Sequence, residues 1–260
     1  MNRDVRKILV VLLLLLAMAA SGRAEVCRTP DGSLLQAAPE LFERFDVLLD
    51  GVRDGTIGRV AAQQELGALL PLVARQYRRS GSRFSRQDSW VFPLAGYGPR
   101  AVPGRKGKGF VVKGYDFFSG NRHGGHPAYD IFIRDRNQDE LDDRTQQPVA
   151  VLSMTGGVVV SAETAWEPGS KLRGGKYVWI YDPANDLLVY YAHNREVFVK
   201  QGDLVQPGSK LATVGRSGLN AAKRRSPTHL HMTVLRANRG NPQAVRFWKD
   251  LSKTRTVGCP

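Results

Sequence analysis

Cysteine is scarce: the 260 residues hold 2, Cys27 and Cys259, near opposite ends of the chain. Nothing near either supplies further ligands at zinc spacing, which argues against a two-cysteine metal site. In an oxidising compartment an even pair invites a disulfide, since domain termini often lie close together; two unrelated thiols are the other reading. Acidic residues are also few, with 24 Asp and Glu against 38 Lys and Arg, a formal net charge of +14. Such a charge draws a protein to anionic polymers, be they nucleic acid, acidic membrane or anionic cell wall. The longest apolar run, Ile8 to Ala20, falls short of the roughly 20 residues a spanning helix needs. No internal repeat is evident.

That apolar run has a specific context. Arg3, Arg6 and Lys7 precede it, and the small residues Gly22 and Ala24 follow at cleavage spacing. This order reads as a secretory signal peptide over 1–24, in preference to an uncleaved anchor. Lipid attachment at Cys27 is disfavoured by bulky Val26 before it. The segment carries four basic residues and one acidic one, so its removal lowers the charge from +14 to +11. A periplasmic or secreted protein is expected, with no nucleic-acid partner and no stable membrane insertion after cleavage.

Residues 37–80 read as helical, because Leu41, Phe45, Leu48 and Leu49 recur at three- and four-residue spacing. Asp54-Gly55-Thr56 looks like a turn, after which Val60 to Tyr77 resumes the pattern, so a helical hairpin is expected. Its role is packing, or a lid over the rest. Residues 79–109 are rich in Gly, Ser, Pro and basic residues, ending in the basic stretch 105–109, and read as solvated loop. From about Trp90 the chain turns β-rich. Val149–Leu152 and Val158–Ala162 flank Thr155-Gly156-Gly157, a hairpin signal. Lys176–Tyr181 and Leu187–His193 flank another turn, Asp182 to Asp186. Further strands are expected at 197–199, 210–214 and 229–235. The fold class is mainly β, an antiparallel sheet or sandwich with a small N-terminal helical hairpin.

All five histidines, at 123, 126, 193, 229 and 231, fall in this β-rich part. His126 and Asp130 would stand about 13 Å apart in extended chain, so sharing one ion requires a bend, which Gly124, Gly125 and Pro127 make plausible. His229 and His231 sit at i and i+2 and so project from one face of a strand, with Leu230 opposite. Leu187, Val189, Tyr191 and His193 are expected to share a face, with the histidine at the strand's end. Each motif is weak alone. A catalytic zinc takes three nitrogen or oxygen ligands and keeps one position open.

In order and flanking sequence, residues 90–235 resemble the lysostaphin/LytM-type peptidoglycan endopeptidases. The matching elements are Trp90-Val91-Phe92-Pro93, His126 to Asp130, Tyr191-Ala192-His193, Gly202 to Gly208, Val214 to Gly218 and Thr228-His229-Leu230-His231. The resemblance implies a zinc ion on His126, Asp130 and His231, with His193 and His229 as catalytic histidines. It implies hydrolysis of peptide stems or cross-links of bacterial peptidoglycan on an antiparallel β core. Ala128 stands where the family commonly has glycine, and the segment between Asp130 and Pro148 is longer than in a minimal member. His123 has no counterpart.

The expected division is a helical region at 25–87, a peptidase domain at 88–240 and a tail at 241–260. Asp135, Asn137, Asp139 and Asp143 resemble a short calcium-binding loop of alternating oxygen ligands. Glu140 stands where glycine would ease the turn, so a solvated acidic loop is the equal alternative. Two competing functions stay open: a non-catalytic wall-binding relative that activates another hydrolase, and a secreted enzyme degrading proteins instead of cell wall.

Overall fold

The first regular elements are two helices, and the apolar spacing explains both. The computed structural model describes residues 27–28, 30, 32–34, 38–81, 87–104, 107–122 and 124–259. The expected signal peptide at 1–24, His123 and two residues of the basic stretch, 105 and 106, lie outside the described residues. Helix α1, Pro39–Asp54, starts on a proline, whose fixed φ suits the first turn. It buries Phe42, Phe45, Leu48, Leu49 and Val52 along one stripe. Gly55 ends it in the left-handed conformation, φ 72°, and its N–H reaches back to the last turn. Helix α2, Arg59–Arg79, buries Ala62, Leu66, Leu69, Leu70, Val73, Ala74 and Tyr77. The turn expected at 54–56 is where the chain reverses.

The strands are β1 (Gly32–Ser33), β2 (Ala128–Phe132), β3 (Ala150–Leu152), β4 (Gly157–Glu163), β5 (Lys176–Asp182), β6 (Leu187–Val197), β7 (Asp203–Val205), β8 (Lys210–Val214), β9 (His229–Arg236) and β10 (Gln243–Ala244). A short helix, α3 (Trp248–Leu251), follows. All the strands join one antiparallel sheet, in agreement with the mainly β expectation. The β5–β6 hairpin forms as expected, closing on the pair Asp182↔Leu187. Asp182 caps its turn by accepting from the N–H groups of Ala184 and Asn185.

The hairpin expected around Thr155-Gly156-Gly157 does not form. Strand β3 pairs with β8, whereas β4 pairs with β5 and β7. The intervening chain is buried instead of turning in solvent, and Ser153 exchanges backbone hydrogen bonds with Gly208 and Ser209. Glycine pairs between apolar runs signal a change of direction. They do not say which strand receives the chain afterwards.

The sheet has two covered faces. Val159, Val178, Ile180, Val189, Tyr191, Leu230, Met232 and Val234 point into one core together with Phe92, Leu94 and Phe247. From the other face Val158, Val160, Tyr181, Leu188 and Leu235 meet the apolar stripes of α1 and α2. Residues 229, 231, 233 and 235 alternate with that first core, so the histidines of β9 and the helical hairpin lie on the same face of the sheet. A 3-10 segment, Phe117–Arg122, fills the space beside α1; it kinks at Gly120, which has φ 50°, and a Cβ there would stand 2.1 Å from the Val52 carbonyl oxygen. Cys27 and Cys259 form a disulfide with Cα atoms 5.1 Å apart.

Candidate metal centre and catalytic site

Strand pairing brings the site together. In the β2–β9 ladder Asp130 stands opposite His231, and Phe132 opposite His229. In the β6–β9 ladder Ala192 stands opposite His231. Directly opposed residues share a face, so one strip of β9 receives side chains from both neighbours. His126 precedes β2 and is held by a separate bridge to Val111. The bend needed between positions 126 and 130 is supplied there, after Gly125 at φ 71°.

The side chains then converge. His231 Nδ1 lies 3.0 Å from Asp130 Oδ1, and His126 Nε2 lies 3.3 Å from the same oxygen. One ligand atom from each of the three residues lies within 4.8 Å of the others, and this is the sole such group of three His, Cys, Asp or Glu among the described residues. Donors bonded at about 2.0–2.1 Å to one tetrahedral ion stand roughly 3.3 Å apart. Both separations are close to that spacing, and the nitrogen–oxygen donor set suits zinc. His126 Nδ1 lies 3.1 Å from the Gly109 carbonyl oxygen, the kind of outer hydrogen bond that turns the other ring nitrogen toward a metal.

His193 and His229 flank this group. The His193 ring centroid is 4.9 Å from that of His229 and 5.5 Å from that of His231. His229 Nε2 is 3.8 Å from Asp130 Oδ1. Each ring is pinned by a carbonyl: His193 Nδ1 lies 2.8 Å from Ser217 O, and His229 Nδ1 lies 2.7 Å from Pro227 O. With Nδ1 donating to a carbonyl, Nε2 keeps a lone pair.

One sequence reading is corrected here. His193 does not share a face with Leu187, Val189 and Tyr191, which point into the apolar core while His193 lines the cavity. The reason is its backbone. His193 has φ 67°, and at this residue β6 leaves its ladder with β9, which covers 187–192, for one with β8 that starts at Asn194. The left-handed residue breaks the alternation and swings the imidazole to the other face. Gly218, at φ 112°, leaves room for it; a Cβ there would stand 2.9 Å from His193 Nδ1.

Electrostatics follow from this packing. Burial pushes the Asp130 carboxyl up, but hydrogen bonds from His126 and His231 outweigh it and hold the group far below the usual carboxylate range. The hydrogen bond with Asp130 raises the pKa of His126. Burial, then the neighbouring imidazoles His231 and His229, pushes His193 well down. Burial likewise lowers His229. Both therefore stay neutral near pH 7, able to accept a proton.

The geometry of the acidic segment does not support the calcium reading. Asp135 accepts from the N–H groups of Asp139 and Glu140 and from the Thr228 hydroxyl. Asp139 accepts from Asn137 and Leu141, and Asp143 from the Arg136 N–H. The oxygens are turned onto donors of the loop itself and onto Thr228, just before β9, and not toward a common centre. Glu140, at φ 68°, takes the glycine-like conformation despite its side chain.

Asp130 and the imidazoles of His126, His193, His229 and His231 line a cavity of about 600 Å³. Its walls include residues that motif reading passed over. Tyr190, on the face opposite Tyr191, lies with its ring 6.3 Å from His231, and strand parity alone could have found it. The carbonyls of Gly109, Ser217 and Pro227 carry no side-chain signal. Leu49, Val52 and Arg53 bring the helical hairpin into the wall.

Residues 140–245 match the sequence profile of peptidase family M23. A solved structure assigned as a glycyl-glycine endopeptidase lytM from Ruminococcus gnavus is 24% identical over 71% of this chain and 73% of its own, with TM-score 0.45. A zinc-containing peptidase from Vibrio cholerae is 20% identical over 60% of this chain and 39% of its own, TM-score 0.36. Lysostaphin from Staphylococcus simulans is 19% identical over 65% of this chain and 54% of its own, TM-score 0.35. This chain therefore spans well under two thirds of the last two proteins. Among the described residues no helix is long and apolar enough to cross a membrane. The stretch that matches peptidase family M23, residues 140–245, carries His193 and the His229–His231 pair.

Proposed function

We propose that the protein is an exported zinc-dependent endopeptidase that hydrolyses peptide stems or cross-links of bacterial peptidoglycan. The observation that carries this reading is the convergence of His126, Asp130 and His231 within 4.8 Å, beside two further imidazoles. A zinc ion, when bound, lowers the pKa of a water and polarises the carbonyl under attack. His126 and His231 would hold it through nitrogen and Asp130 through oxygen. The remaining chemistry belongs to the chain. His193 and His229, neutral and pinned through Nδ1, accept a proton at Nε2 from the attacking water and return it to the leaving amine. Once protonated, either imidazole stabilises the negative charge that develops on the carbonyl oxygen. The carbonyls of Ser217 and Pro227 keep the tautomers right for both steps.

Retention of all five side chains around one cavity favours catalysis over the alternative, a non-catalytic wall-binding relative. The net positive charge favours adsorption to an anionic wall. The test is muropeptide analysis of purified sacculi digested by the zinc-loaded protein, with casein as the control. New peptide ends in the sacculi and none in casein are expected. Cleavage of casein alone would assign the site to a different substrate, and a wall-bound but inert protein would support the non-catalytic reading.

A further inference from the structure

The cavity wall is strongly one-signed. Among its described residues the carboxylate group is represented by Asp130 alone, against three arginines, Arg53, Arg173 and Arg225. Asp130 is engaged by the imidazoles, and a divalent ion would consume its charge entirely. Arg53 is answered from outside the cavity, by Asp50 and Asp54 at 2.6 Å each. Arg173 donates to the Asn121 carbonyl oxygen at 2.9 Å, and its charge is felt at His126. Arg225 differs from both. It is exposed, and no hydrogen bond or ion pair joins its side chain to any described residue.

Arg225 is nonetheless not on a loose loop. The Arg216 guanidinium donates to the carbonyls of Ser226 at 2.5 Å and Lys223 at 3.0 Å, and Gln138 Nε2 donates to that of Arg224 at 2.9 Å. Two side chains from other parts of the molecule thus grip the backbone on both sides of Arg225. Two residues further on, the Pro227 carbonyl pins His229. A cation without a partner among the described residues is carried on a braced segment that is continuous with β9.

We infer that Arg225 is a specificity-determining residue, which pairs with a free carboxylate on the peptide substrate close to the bond that is cut. The inference rests on the endopeptidase reading above and adds the substrate class: acidic peptides, in which the carboxylate supplies the charge that the cavity lacks. A guanidinium–carboxylate pair is charge-assisted and planar, so it fixes orientation as well as adding affinity. Lysine would supply charge without the bidentate fork.

The test uses cross-linked wall peptides with free carboxylates and the same peptides after carbodiimide amidation, cleaved by the full mature protein loaded with zinc. The ratio of kcat/KM for acid over amide is expected to be about ten or more for the native protein. Arg225→Gln is expected to bring that ratio near one, with the change mainly in KM, and Arg225→Lys to restore part of it. Zinc content and thermal midpoint, unchanged in both variants, show that the loop stays folded. Equal cleavage of acid and amide by the native protein, or an undiminished ratio in Arg225→Gln, overturns the inference while leaving the peptidase intact. No cleavage of either peptide by the native protein would instead overturn the endopeptidase reading and this inference with it.

Discussion

The left-handed backbone at His193 leads to a stability order opposite to the usual one. Within a strand, glycine normally costs about 0.5–1 kcal/mol relative to alanine, because it loses more freedom on folding. At φ 67° the balance changes. A residue with a Cβ pays roughly 1–2 kcal/mol to occupy this region, and glycine does not. His193→Ala and His193→Gly both remove the imidazole and its hydrogen bond to Ser217, so they differ only by the Cβ. Subtracting the entropy cost leaves the glycine variant more stable by roughly 0.5–1 kcal/mol. In a domain of this size that is a rise of about 2–4 °C in thermal midpoint per kcal/mol. The assay is calorimetric or urea unfolding of the two variants, disulfide intact. An alanine variant as stable as the glycine one would refute the argument that backbone strain, and not rotamer choice, turns His193 into the cavity.

Other consequences follow. His193→Ala is expected to retain stoichiometric zinc by metal analysis while losing turnover, whereas Asp130→Ala should lose zinc; metal loss in the first variant would move His193 into the ligand set. Asp182, 1% exposed, has its pKa raised by burial to about 6. The folded state therefore holds that proton more tightly than the unfolded chain, and the resulting stability is full below about pH 4 and lost by about pH 6.5. Relative to Asp182→Asn, the native protein should lose about 3 kcal/mol of unfolding free energy across that window; parallel pH profiles would contradict this. Reducing the Cys27–Cys259 disulfide, which closes a loop spanning 232 positions, should lower stability by about 2–5 kcal/mol in denaturant titrations.

Much of the site was legible in the sequence because strand parity is local. The spacing of His229 and His231 is enough to put both on one face with Leu230 in the core, and the structure has that arrangement. The two helices and the β5–β6 hairpin were legible for the same reason, since apolar period and turn residues act over a few positions. The acidic segment shows the limit of motif reading. Its aspartates are spaced like ion ligands, yet the loop's own N–H groups reach them first, and that competition is settled by backbone path.

What the sequence determined by itself was therefore the set of elements and the chemical character of each face. Only the tertiary structure decided that β3 and β4 part company, that His193 leaves the alternation where β6 changes partners, and that the helical hairpin shares a sheet face with the histidines. These outcomes depend on ladders between residues far apart in the chain. Which edge a strand joins is set by the total packing of two cores, and no local window contains that sum.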